Sequence, residues 1–145
     1  MTTKENNRET SHKFQVLIER LKSLKLSADQ FALFGSGPMA VRGMREPGDL
    51  DVVVTKELFV ELSKKYPADP SWHGGKIKAI AEDIDVYDAT AAPIPAETLI
   101  ERAEVFEGIR FLTLEDTIAA KRVQNREKDL KDIEIIEAYL QAGGK

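Results

Sequence analysis

The chain contains no cysteine, which removes disulfides, thiolate catalysis and cysteine-type zinc sites together. That absence is compatible with a cytoplasmic protein. No apolar run approaches the length needed to cross a membrane. The polar opening MTTKENNRET lacks the hydrophobic segment of a secretory signal. A basic surplus is missing too: the net charge is −4, whereas a protein built to grip duplex nucleic acid usually carries excess Lys and Arg. The one local exception is a late cluster of Lys121, Arg122, Arg126, Lys128 and Lys131. Neither a G-x-x-x-x-G-K-S/T loop nor a Gly-x-Ser-x-Gly elbow is present, which excludes P-loop enzymes and elbow-type hydrolases. Histidine occurs twice only. His12 falls at the start of a predicted helix and is expected to be exposed. His73 neighbours Trp72, the single tryptophan, in a predicted loop that would either stack on a base or plug the core.

What remains is an ordinary globular composition. With 42% apolar and 32% charged residues in a chain of 145, one domain with a real core is expected. Residues 1–10 read as a disordered leader and 11–142 as that domain. Phe14, Leu17, Ile18, Leu21 and Leu24 recur at helical spacing and predict a helix over Lys13–Leu26. Phe31–Phe34 and Asp51–Val54 are short apolar runs that predict buried strands. Between them lie a glycine turn and a short helix over Pro38–Arg42. Thr55 opens a helix over 56–65. Lys76–Ile80 and Ile84–Tyr87 predict further strands, with a short helix from Pro93 to Arg102 after them. Glu104–Leu112 predicts a hairpin around Glu107-Gly108. Thr113-x-x-Asp116 reads as a capping box for a helix through Val123. A last helix over 126–140 is expected to turn Leu130, Ile133, Ile136 or Glu137, and Leu140 inward, followed by an unstructured Gly143–Lys145 tail. The order implies an α+β or mixed α/β domain: a small mixed sheet flanked by helices.

The stretch Phe31–Val54 carries the chemistry. Gly35-Ser-Gly37-Pro-Met-Ala40 matches the dinucleotide fingerprint G-x-G-x-x-A. Two features argue against that reading. The following helix must stop near Gly43 or Pro47, too short for a parallel crossover. The acidic residues also begin the next strand instead of following it. A blander reading treats the glycines as turn residues and Asp49-Leu50-Asp51 as solvated.

A third reading joins both halves. If the two strands are antiparallel neighbours, Gly35-Ser36 and Asp49/Asp51 converge at one edge of the sheet. Residues two apart on a strand share a face, so the two carboxylates project together. Such a pair wants a hard cation between its members, and Mg²⁺ prefers carboxylate, water and phosphate oxygens. Amides at Ser36 and Gly37, at a helix start, suit an incoming phosphate. A further carboxylate is expected from Asp85, set between Ile84 and Val86, with Asp83 as its rival of the same parity.

These elements resemble the nucleotidyltransferase superfamily related to DNA polymerase β. The matching residues are Phe34-Gly35-Ser36, then after twelve intervening residues Asp49-Leu50-Asp51-Val52, and later Ile84-Asp85-Val86. Arg42-Gly43-x-Arg45-x-x-Gly48-Asp49-Leu50-Asp51 is similar to small bacterial members of the antibiotic, abortive-infection and toxin types. Lys121 with Arg126-x-Lys128-Asp129-x-x-Asp132 resembles their C-terminal helix. The resemblance implies a nucleotidyltransferase fold with its active site at one sheet edge. It also implies transfer of a nucleoside monophosphate from an NTP to an acceptor hydroxyl by two-metal catalysis, with release of pyrophosphate. Asp49, Asp51 and Asp85 would be the catalytic metal ligands for Mg²⁺, with Mn²⁺ as a substitute. Gly35, Ser36 and Gly37 would hold the phosphates, and Arg42, Arg45 and Lys121 would neutralise them.

The acceptor is not readable: a small antibiotic, a protein hydroxyl and a tRNA end all stay open, the acidic charge weighing against the last. A homodimer would supply the acceptor pocket that 145 residues leave little room for. The competing expectation is a non-catalytic nucleotide-binding or toxin–antitoxin module on the same fold.

Overall fold

A computed structural model describes residues 11–69 and 75–144. The expected leader, the Trp72–His73 pair and Lys145 lie outside the described residues. Helix α1 (His12–Lys22) buries Phe14, Leu17 and Leu21 along one stripe. Ser11 caps it, accepting the Phe14 N–H at 3.1 Å. The helix stops a turn before Leu26, because Ser23 takes the C-cap and Lys25 adopts a φ of 56°. Strand β1 (Phe31–Phe34) follows, then the single turn α2 (Gly37–Ala40) and strand β2 (Leu50–Val54). Helix α3 (Lys56–Ser63) is capped by the Thr55 hydroxyl.

A hairpin of β3 (Lys76–Ala81) and β4 (Ile84–Tyr87) leads through α4 (Ala96–Glu101) to a second hairpin, β5 (Glu104–Phe106) and β6 (Ile109–Phe111). Helices α5 (Leu114–Gln124) and α6 (Glu127–Gln141) complete the chain. Thr113 caps α5 as its sequence predicts, and Asn125 in the left-handed region ends it.

The strands form one open sheet in the order β3-β4-β2-β1-β6-β5. The β1–β2 pair is antiparallel, β2–β4 and β1–β6 are parallel, and both hairpins are antiparallel. The described residues therefore make a mixed six-stranded sheet with six helices, an α+β architecture. No helix among them is long and apolar enough to cross a membrane.

Alternation along the strands divides the core. Leu33, Leu50, Val52, Ile84 and Val86 pack on α1 and α3. Ala32, Phe34, Val53 and Tyr87 face the other way, towards Leu99 and Ile100 of α4 and Leu112. Each side chain buried on the first face contributes about 1.5–3 kcal/mol, enough for the strands to carry ionisable residues on the second. A third cluster joins Met39 of α2 to Leu114, Ile118, Ile133 and Ile136 of α5 and α6.

Two expectations for α6 need correction. Leu130 is 47% exposed, and the buried residues beside Ile133 and Ile136 are Asp129 and Asp132. The tail is a helix stop: Gly143 takes a φ of 87° and the Gly144 N–H returns to the Tyr139 carbonyl.

Candidate active site

Register builds the site. The β1–β2 ladder sets Phe34 opposite Asp51, so the end of β1 lies beside the start of β2. The β2–β4 ladder sets Asp85 opposite Asp51 on its other side. Paired residues point to the same face, so Asp51 and Asp85 stand together, and Asp49 lies exposed at the strand entry. Gly35 closes the turn with a φ of 71°, and a Cβ there would lie 2.9 Å from Asp51 Oδ2. Only glycine lets the backbone come that near the carboxylate.

Burial pushes the Asp51 carboxyl up to about 6, and the neighbouring charge of Asp85 adds to the rise. Lys76 pulls against it, and Asp49 pushes with it. The Tyr87 hydroxyl is raised by burial and then by Asp51 and Asp85, so it stays protonated and donates to Asp51. Asp85 Oδ1 accepts the Ala79 N–H at 2.7 Å, and its Oδ2 lies 3.7 Å from Lys76 Nζ. Ala79 has a φ of 52° where the β3–β4 register shifts, an irregularity that aims its N–H at Asp85. Lys76 Nζ also rests 5.2 Å from the centroid of the Tyr87 ring.

Asp83, the rival third carboxylate, sits in the hairpin turn with a φ of 65° and lies 3.9 Å from Arg20 of α1, the helix on the opposite face. Asp85 is the one in register with Asp51.

Two clefts, each of about 270 Å³, meet at Gly35, Asp51, Lys121, Arg126 and Lys128. The first adds Phe34, Lys76, Tyr87 and Gln124. The second adds Ser36, Arg45, Asp49 and Asp132. Buried Asp132 organises the cations: it accepts from Lys121 Nζ at 2.9 Å and from Arg45 Nη1 at 3.0 and 2.9 Å. Beside it, burial would raise the Asp129 carboxyl, but hydrogen bonds from the Arg126 side chain and amide hold it below its ordinary value.

The structure thus brings together Gly35, Ser36, Arg45, Asp49, Asp51 and Lys121, with Asp85 alongside. Gly37 and Arg42 are elsewhere. Gly37 is buried, with Leu33 side-chain atoms 3.1 Å from where its Cβ would be, and lines neither cleft. Arg42 corrects the expectation of a phosphate ligand. Its side chain is 1% exposed, donates to the Pro38 carbonyl at 2.7 Å, pairs with Glu104 and lies over the Phe106 ring. Ser36 already accepts the Gly48 N–H at 3.1 Å, which pins the loop before β2 to the end of β1.

Sequence reasoning did not find Lys76 or Tyr87. Tyr87 carried a usable signal, since it lies two residues beyond Asp85 and so shares its face.

Among the described residues, no group of three His, Asp or Glu side chains converges as a ready-made metal cage. The two oxygens of Asp85 are engaged by Ala79 and Lys76. The donor chemistry of Asp49 and Asp51 does fit a hard divalent cation, as two carboxylates two residues apart at the strand entry that line one cleft. Comparison with protein-family models, with curated proteins and with solved structures gives no match. Function has to be read from the site.

Proposed function

We propose that the chain is a metal-dependent nucleotidyltransferase that moves a nucleoside monophosphate from an NTP to an acceptor hydroxyl. The observation that carries this reading is the placement of Asp51 between the Gly35 turn and Asp85, facing a cleft with Lys121 and Arg45. The resemblance of these segments to the nucleotidyltransferase superfamily points the same way, and the mixed sheet with flanking helices accommodates its fold.

In this reading Asp49 and Asp51 hold Mg²⁺ or Mn²⁺. Such an ion, when bound, supplies charge stabilisation at the reacting phosphate and the leaving oxygen. The Gly35–Ser36 turn receives the phosphate chain. Lys121 and Arg45, held side by side by Asp132, neutralise its β- and γ-phosphates. The acceptor oxygen bonds to the α-phosphorus while the bond from that phosphorus to the α–β bridging oxygen breaks. Pyrophosphate leaves with the electron pair, and the acceptor's proton passes to the Asp85 carboxylate.

A second reading, a nucleotide-binding or toxin–antitoxin module without turnover, is favoured by one feature: Asp85 is already engaged by Ala79 and Lys76. Incubation with α-phosphate-labelled NTPs, Mg²⁺ and a panel of small-molecule, protein and tRNA acceptors separates the two. Labelled product with pyrophosphate release, abolished by Asp51→Asn, is the expected result. NTP binding without release favours the module, and no NTP binding by calorimetry with either ion defeats both.

A further inference from the structure

We propose that Lys76 is the resident second cation of this site. One divalent ion then loads on Asp49 and Asp51, and the Lys76 ammonium supplies the positive charge at Asp85. This inference rests on the assignment of Asp49 and Asp51 as metal ligands. A second ion needs Asp85 as a further ligand, but its oxygens face the Ala79 N–H and the Lys76 ammonium.

Lys76 is fixed in place from several directions. Its backbone N–H and carbonyl both bond to Asp69, at 2.9 and 2.7 Å. It lies directly across the ladder from Tyr87, and its ammonium rests over that ring. Tyr87 in turn donates to Asp51. Only 25% of the Lys76 side chain is exposed. An ammonium held there repels a second divalent ion and offsets the Asp85 charge. A lysine at this point therefore adjusts the ion count of the site and the charge facing an acceptor.

The test is a Mn²⁺ titration of the full chain, with free Mn²⁺ counted by electron paramagnetic resonance. Wild type is expected to bind one ion, and Asp51→Asn to weaken it at least about tenfold. Lys76→Met is expected to bind a second ion or to tighten the first about fivefold or more. Lys76→Met/Asp85→Asn should lose that gain, because the gain needs the freed carboxylate. Lys76→Arg keeps the charge and should still bind one ion, a check that does not depend on Lys76→Met folding. Two ions in wild type, or a second ion in Lys76→Arg, overturn the role of Lys76 and leave the nucleotidyltransferase reading standing. No ion in wild type or in Lys76→Met overturns both.

Discussion

Asp51 and Asp85 sit opposite one another on adjacent parallel strands, two acids paired across a ladder on one face of the sheet. Like charges directly opposite in a sheet are destabilising. The fold tolerates them because Lys76 faces one of them and the other holds its proton more tightly.

That proton gives a pH signature. Asp51 rises from 3.8 to about 6 in the folded state. The native chain therefore binds this proton more tightly than the unfolded chain does. Its stabilising effect is complete below the unfolded value and is lost as pH climbs through the folded one. Between these limits stability should fall by about 3 kcal/mol with rising pH. Asp51→Asn removes that loss, so the variant should be more stable than wild type at pH 7 while inactive. Urea denaturation of both proteins from pH 4 to 7.5 measures it. Equal stability at pH 7 would contradict the buried, repelled carboxylate.

Gly35→Ala should separate backbone strain from site damage. A left-handed φ costs a non-glycine residue about 1–2 kcal/mol. Gly108, with a φ of 83° and open space where its Cβ would go, carries the same backbone cost without a neighbour. Gly108→Ala and Gly35→Ala should thus lower stability by similar amounts in thermal denaturation. Only Gly35→Ala should weaken Mn²⁺ binding, by about tenfold or more, because its Cβ displaces Asp51 Oδ2.

The central strands and the glycine turn were legible because their signals are local. Phe31–Phe34 is a short unbroken apolar run closed by glycine, and Asp51–Val54 is β-branched after its acid, so strand type followed from length, boundary and composition. Their antiparallel register, which the joining of glycine turn and acidic pair required, is the one observed. Less local features were hidden. The inward face of α6 includes Asp129 and Asp132, and apolar counting selected Leu130 in their place. Those acids are buried because Arg126, Lys121 and Arg45 satisfy them, two of the three from other parts of the chain. Lys76 looked like the polar beat of an alternating strand. Its role depends on a register with Tyr87 that no single segment contains.

Asp132 is expected to matter for both fold and site. It is 6% exposed and holds buried Lys121 together with Arg45. Removing the acceptor leaves the Lys121 ammonium without its hydrogen-bonded carboxylate in a poorly solvated place. Asp132→Ala should cost about 3–5 kcal/mol, read by chemical denaturation. Asp132→Asn keeps shape and an acceptor oxygen, so it should lose less stability. It should still weaken NTP binding, because the two cations are no longer aligned by one carboxylate.

The two arginines of the loop before β2 should part company under substitution. Arg42 is buried against Pro38, Glu104 and Phe106, whereas Arg45 lines the cleft with its side chain 37% exposed. Arg42→Met keeps much of the packed volume but strands the Pro38 carbonyl, and Glu104, half exposed, returns to water. Losing a buried carbonyl's partner should cost about 1–3 kcal/mol, while NTP affinity of the folded variant stays within about twofold. Arg45→Met removes a cleft-facing charge but leaves Asp132 paired with Lys121. Its stability should change little, and its NTP affinity should fall about tenfold, the ordinary worth of one charge-assisted contact. Denaturation and NTP calorimetry on the same pair of variants decide it. A large affinity loss in Arg42→Met without destabilisation would return Arg42 to the phosphate site, against its burial.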